Sequence, residues 1–167
     1  MSIFKAYDIR GLYGDEMDET TAEQIGRAFV LTLADIAGKD PGELRIGLGR
    51  DMRLTAPAMA AAYLKGMTGE GAHVIDAGEV ATEMLYFLVG SRELDGGAMC
   101  TASHNPKAYT GVKLVSAGAL PLSGDAGIGD IRKLVEAGMD AAPGGGSSEE
   151  VDLWDEYRAP AEASIDP

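Results

Sequence analysis

The chain has 167 residues, 46% hydrophobic and 25% charged, with 27 acidic against 14 basic side chains and a formal net charge of -13 at pH 7. That length suits one well-filled core with a short appendage, and the acidity argues against DNA or RNA as the main partner, because nucleic-acid binding uses basic surface to displace counterions. One cysteine and two histidines exclude an internal disulfide and a Cys/His zinc set, and no apolar run is long enough to span a bilayer, so no membrane association is expected.

The start, "MSIFKAYDIRG", lacks the apolar core and cleavage site of a signal peptide, so a reducing, cytoplasmic compartment is expected. "DEMDE" (15–19) lacks the glycine and terminal glutamate of an EF-hand loop and reads as a solvated loop leading into a helix. "TTAEQIGRAFVLTLADIAGK" predicts that helix. Thr20 and Glu23 fit a capping box, Ile25, Phe29, Leu33 and Ile36 share a face, and Gly38 ends it. "LRIGLG" predicts a strand, and "TAPAMAAAYLKGMTGEG" a second helix with Thr55 at its N-cap and Met59, Tyr63 and Met67 in one stripe.

"AHVIDAG" predicts a further strand, in which His73 reads as structural; "TEMLYFLVG" follows as a helix, "GGAMCTA" as a buried strand and "GVKLVSA" as another. Ile128, Ile131, Leu134 and Val135 mark one more helix. This alternation predicts an α/β fold, a three-layer α/β/α sandwich around a mostly parallel mixed sheet. The short connection between Ser103 and Gly111 allows the last strand to run antiparallel. Residues 1–138 form the expected domain. "MDAAPGGGSSEE" (139–150) reads as a flexible connector, and the rest, to 167, as a terminal helix with Trp154 and Tyr157 on one face.

Ligands of open α/β sheets settle at the carboxyl ends of strands. Three predicted strands end in polar or small residues, "GRD" (49–51), "DAG" (76–78) and "TASHNP" (101–106), and the third concentrates the reactive groups. Between residues 96 and 124 there is no Asp or Glu, while His104, Lys107 and Lys113 fall inside that window. A serine at the tip of a tight turn, beside lysines and backbone N–H groups, suits an added phosphate dianion. A serine hydrolase is a poor match, since G-x-S-x-G is absent and His104 is a sequence neighbour of Ser103. "GLGRDM" has methionine where a dinucleotide fingerprint needs its third glycine, and no P-loop occurs. Cys100 reads as inert strand packing.

Taken together, "KAYDIRG", "GRDMR" and "TASHNP" followed by "GVK" closely resemble the first domain of the α-D-phosphohexomutases. The "AYDIRG" form looks like the phosphomannomutase/phosphoglucomutase branch; the "TDGIRG" form of the phosphoglucosamine mutases is missing. The resemblance covers nearly the whole chain and about the first third of a typical member. It departs at Ala108 and Thr110, where Glu and Asn are frequent.

The resemblance implies reversible phosphoryl transfer between hexose 1-phosphate and hexose 6-phosphate, with glucose or mannose as the sugar, through an active-site phosphoserine and a 1,6-bisphosphate. Ser103 would be the phosphate carrier. Arg10 would contact phosphate or the proton-transfer network, Lys113 would act as general acid/base or electrostatic stabiliser, His104 and Asn105 would shape the loop and contact substrate or phosphate, and Tyr7 would bind substrate. Other readings of these residues stay open: Arg10 paired with Asp8, Lys113 as an exposed strand residue, Tyr7 in the core. Mg²⁺ would be held by the Ser103 phosphate and by an aspartate-rich "DGDGDR"-type loop of a second domain, a sequence this chain lacks. The remaining domains of the full-length enzyme are the implied partners, and the chain alone is expected to turn over negligibly. The alternative from another class is a non-catalytic phosphate-binding or phosphorylation-switch module.

Overall fold

The computed structural model describes residues 3–163, and the last predicted residues, 164–167, lie outside the described residues. After an exposed turn, β1 (Ile9–Leu12) leads to α1 (Glu19–Ala37), β2 (Arg45–Arg50), α2 (Ala56–Gly69), β3 (His73–Glu79), α3 (Thr82–Ser91) and β4 (Gly96–Cys100). There follow β5 (Tyr109–Ser116), β6 (Leu120–Pro121), α4 (Ile128–Ala137), β7 (Ser147–Glu150) and α5 (Trp154–Ala163).

The sheet runs β1-β5-β4-β2-β3-β7, with β6 beside β5. Strands β4, β2, β3 and β7 are parallel to their neighbours in that series, whereas β5 is antiparallel to β4, β1 and β6. The expected sandwich is therefore the one found, including the antiparallel return after the serine loop. Alternation along the strands divides the core. Ile46 and Leu48 of β2, Ala98 of β4 and Val112 and Leu114 of β5 pack with α1, α2 and α4. Ile75, Met99 and Val115 face α3, with Leu153 joining that core and Tyr157 of α5 packing against it.

Helix α1 starts one residue pair earlier than the capping box predicts. Asp18 is its N-cap, with extended backbone, and its carboxylate accepts from the Thr21 N–H at 2.8 Å and the Thr21 hydroxyl at 2.9 Å. The backbone bond is the larger reason that the Asp18 carboxyl titrates below its ordinary value. Gly38 ends the helix in the left-handed region, φ 63°, where a side chain is disfavoured. Ile25, Phe29 and Leu33 are buried as expected, but Ile36 is exposed.

Helices α1 and α2 approach through two glycines. A Cβ on Gly26 would collide with the Tyr63 carbonyl oxygen, and one on Gly66 with that of Glu23. The contact is closed by a buried ion pair, Arg27 Nη2 to Glu70 Oε1 at 2.6 Å, with Arg27 also donating to the Asp140 carbonyl. Thr55 occupies the N-cap of α2 but makes no capping hydrogen bond, because its backbone is already helical (φ -84°, ψ -16°). Met59, Tyr63 and Met67 are buried.

The expected connector contains a strand. β7 pairs in parallel with β3, His73 opposite Ser147 through Asp76 opposite Glu150. Its approach is docked by N–H groups of Gly144 and Gly146 on the carbonyls of Gly69 and Thr68. All four β7 residues are exposed; backbone bonds hold them, so no apolar pattern marks the strand. Beyond it, Phe87 and Tyr157 meet edge to face at 5.5 Å, while Trp154 on α5 is exposed. Among the described residues no helix is long and apolar enough to cross a membrane.

Candidate functional site

The carboxyl ends of β2 and β4 adjoin, because Arg50 pairs with Cys100 and the Asp51 N–H donates to the Cys100 carbonyl at 3.0 Å. Two connections leave this edge: residues 51–55 leading to α2, and residues 101–108 leading to β5. Between them lies a groove of about 870 Å³ lined by Asp51, Met52, Arg53, Leu54, Thr55, Ser103, Asn105, Lys107 and Ala108. The N-terminus of α2 opens on this groove through Thr55, and the positive end of a helix dipole favours an anion there.

Ser103 is exposed and has φ 53°, the left-handed region, which costs an L residue roughly 1–2 kcal/mol. Its surroundings hold it there. The Ser103 N–H donates to Thr101 Oγ1 at 2.9 Å, and the Ser103 carbonyl accepts from Arg53 Nη2 at 2.6 Å. Both the N–H and the Nδ2 of Asn105 donate to the Ala102 carbonyl, at 3.1 and 2.7 Å, closing the turn from within. The Ser103 amide is thus committed inside the loop and is not part of an anion nest.

Arg53 is the residue that sequence reasoning missed here. Its guanidinium donates to the carbonyls of Ser103, Asn105 (2.8 Å), Pro106 (3.0 Å) and Tyr109 (3.3 Å), and pairs with Asp51 at 3.2 Å. The available signal was its place in "GRDMR", three residues after the end of β2. Asp51 accepts the Thr101 hydroxyl at 2.7 Å.

His104, Pro106 and Lys107 of the loop are exposed and Asn105 is half-buried. Arg10 and Lys113 share a different setting. Ile9 and Val112 pair and are buried in the first core, so Arg10, opposite Gly111, and Lys113, opposite Met99, lie on the α3 side of the sheet. Arg10 is level with the loop base, since Gly111 accepts from the Thr101 N–H at 3.0 Å. It faces Asp8 at 3.5 Å, the pairing left open above. Lys113 is half-buried and has no ion-pair partner among the described residues.

Tyr7 is 69% exposed on a turn closed by the Lys5 N–H and the Asp8 carbonyl, so it is not a core residue. No hydrogen bond or ion pair joins Tyr7, Arg10 or Lys113 to Ser103 among the described residues. Cys100 lies under the loop with its thiol toward the Ala56 carbonyl. Burial, then the charge of Asp51, pushes that thiol up to about 12, so it stays protonated and unreactive at neutral pH. His73 hydrogen-bonds Ser147 at 2.7 Å across the β3–β7 edge.

For a divalent cation, the only carboxylate lining the groove is Asp51, and both its oxygens are engaged, Oδ1 by the Arg53 N–H and Oδ2 by Arg53 Nε and Thr101. No group of three metal-ligating side chains occurs among the described residues. The side chains of this groove do not by themselves form a metal site.

The fold and the loop define an α/β/α domain that carries an exposed serine at the carboxyl edge of its sheet. A family model described as phosphoglucomutase/phosphomannomutase, alpha/beta/alpha domain I, matches residues 1–141. The chain belongs to this phosphoglucomutase/phosphomannomutase family, as its domain I. A phosphomannomutase of Salmonella montevideo is 43% identical over 162 residues, covering 94% of this chain and 33% of the relative, and one of Escherichia coli K12 is 44% identical over 137 residues, 82% and 28%. A phosphoglucomutase/phosphomannomutase family protein of Burkholderia thailandensis superposes with a TM-score of 0.86 at 33% identity, covering 98% of this chain and 36% of that one. The chain thus spans about a third of the length of these relatives.

Proposed function

We propose that this chain is the phosphoserine-bearing first domain of a longer cytoplasmic phosphohexomutase, which interconverts hexose 1- and 6-phosphates of glucose or mannose through a 1,6-bisphosphate. One observation carries the reading: Ser103 stands exposed at the tip of a loop free of carboxylates, in a backbone conformation held at its N–H by Thr101 and at its carbonyl by Arg53. An exposed hydroxyl suits in-line transfer, and the one carboxylate of the groove, Asp51, is already engaged by Arg53 and Thr101, which favours an added dianion at Ser103.

In the forward step the bond from phosphorus to Ser103 Oγ breaks and one to a sugar hydroxyl oxygen forms. The proton of that hydroxyl passes through an acid/base group to Ser103 Oγ. After the bisphosphate turns round, Oγ gives up its proton and bonds the other phosphorus, the bond from that phosphorus to its sugar oxygen breaks, and the freed sugar oxygen takes the proton. Lys113 serves as general acid/base or as a cation beside the transferring group. Arg10 binds phosphate once drawn from Asp8, His104 and Asn105 contact the phosphate or sugar from the loop, and Tyr7 lines the substrate side. Mg²⁺, when bound, neutralises phosphoryl oxygens. On this chain it would be held through the phosphate of Ser103, with carboxylate ligands supplied by a second domain.

The test is intact mass after incubation of the longer enzyme with glucose 1,6-bisphosphate and Mg²⁺. One phosphate is expected on Ser103, and Ser103→Ala is expected to abolish both the label and isomerisation. A labelled serine in an enzyme that never isomerises would favour the phosphorylation-switch reading. Full turnover by Ser103→Ala would reject the carrier role.

A further inference from the structure

One side chain in the groove spends every N–H it has on fixing the serine loop. A guanidinium has five donors in a planar fork, and Arg53 commits all five: Nε to Asp51 Oδ2, Nη2 to the carbonyls of Ser103 and Asn105, Nη1 to those of Pro106 and Tyr109. Its side chain is only 15% exposed. None of those donors is left for a phosphate. The second half of the device is Asp51, whose Oδ1 accepts the Arg53 N–H at 3.1 Å and whose Oδ2 accepts the Thr101 hydroxyl, while Thr101 Oγ1 in turn accepts the Ser103 N–H. Ser103 is therefore gripped at its N–H through Thr101 and at its C=O by Arg53, on either side of a left-handed φ.

We propose that Arg53, with Asp51 and Thr101, is the positioning residue for phosphoryl transfer at Ser103; this rests on the phosphoserine reading. Two physical effects follow. The loop keeps the serine in its strained conformation without help from the phosphate, so the nucleophile and the phosphorylated carrier share one geometry. Four carbonyl oxygens are also turned toward a cation at the inner side of the loop, which keeps their negative ends away from the outer side, where a dianion would otherwise be repelled. The Arg53 charge is balanced by Asp51, so its role is geometric. Lysine has three donors radiating from one atom and no fork, so it cannot span carbonyls of residues 103, 105, 106 and 109 together.

The experiment uses the longer enzyme and follows Ser103 labelling by glucose 1,6-bisphosphate, together with steady-state isomerisation and hydrogen exchange of residues 101–109, in the unsubstituted protein, Arg53→Lys, Thr101→Val and the double variant. Misplacing a reacting group by about 1 Å costs on the order of 100-fold. Arg53→Lys is accordingly expected to slow labelling and kcat by about 10- to 100-fold with KM unchanged, and to raise exchange in the loop alone. Thr101→Val, nearly isosteric, is expected to act in the same direction more weakly, and the double variant to lose less than the product of the two single effects. Labelling of Arg53→Lys at the unsubstituted rate overturns the proposal, as do effects that multiply independently or a rise in exchange spread over the whole domain. If the unsubstituted protein takes no phosphate, the phosphoserine reading itself falls, a result distinct from a normal label in the unsubstituted protein with no defect in the variants.

Discussion

Gly26 and Gly66 lie where α1 and α2 cross, and each leaves open a space that the other helix's backbone fills. Alanine at position 66 would favour the helix by about 1 kcal/mol, but its methyl meets a carbonyl that cannot rotate away, and such overpacking costs 1–3 kcal/mol or more. Gly66→Ala is therefore expected to lose about 1–2 kcal/mol in urea denaturation. Gly90→Ala, on α3 with nothing near its missing Cβ, is expected to be neutral or to gain about 0.5 kcal/mol. A gain at both positions would contradict the close crossing.

The Arg27–Glu70 pair sits at the same crossing with side chains 10% and 6% exposed. Arg27→Met leaves a buried carboxylate without its partner, and loss of about 3–5 kcal/mol is expected. Replacing Glu70 by Met as well removes the stranded charge, so the double variant should recover much of that loss. Equal stabilities for the single and double variants would show that water already solvates Glu70.

Asp18 caps α1 only as a carboxylate. Its folded pKa is depressed, so its contribution is present above the unfolded value near 3.9 and is lost as the pH falls through the folded value. Asp18→Ala is expected to cost about 1 kcal/mol at pH 7. The gap between the two proteins should narrow below about pH 4; thermal melts across that range check it, and a constant gap would point to some other contribution.

Ser103 offers a separable test of strain and chemistry. Ser103→Ala and Ser103→Gly both remove the hydroxyl and are both expected to lose phosphate uptake. Glycine tolerates φ 53° and alanine does not, so Ser103→Gly should be the more stable of the two by about 1 kcal/mol. Chemical denaturation of both variants reads that difference directly, and a more stable alanine variant would mean that the loop relaxes when the hydroxyl is gone.

The parts of the fold that were legible in the sequence are those where burial writes a period into side chains. Ile46 and Leu48, Met59, Tyr63 and Met67, and Val112 and Leu114 announce strands and a helix because one face of each must be apolar. β7 reads as linker because Ser147, Ser148, Glu149 and Glu150 bury nothing and are held through N–H and C=O groups, which every residue has. The cap of α1 moved from Thr20 to Asp18 because both are good cap residues and only the chain path decides. Ser103 was visible through its motif and its uncharged surroundings. Arg53 was not, since its partners are carbonyls some fifty positions away, and a carbonyl leaves no mark on the residue that owns it.

The margin formed by β7 has a consequence for self-association. One side of that strand is spent on β3; its other row of amides has no strand partner among the described residues, and a second molecule's margin adding there would meet the charges of Glu149 and Glu150. In a protein of formal charge -13, electrostatic repulsion at that seam opposes growth of the sheet from molecule to molecule, and high salt or acid, which screen or discharge the glutamates, are the conditions under which it would weaken.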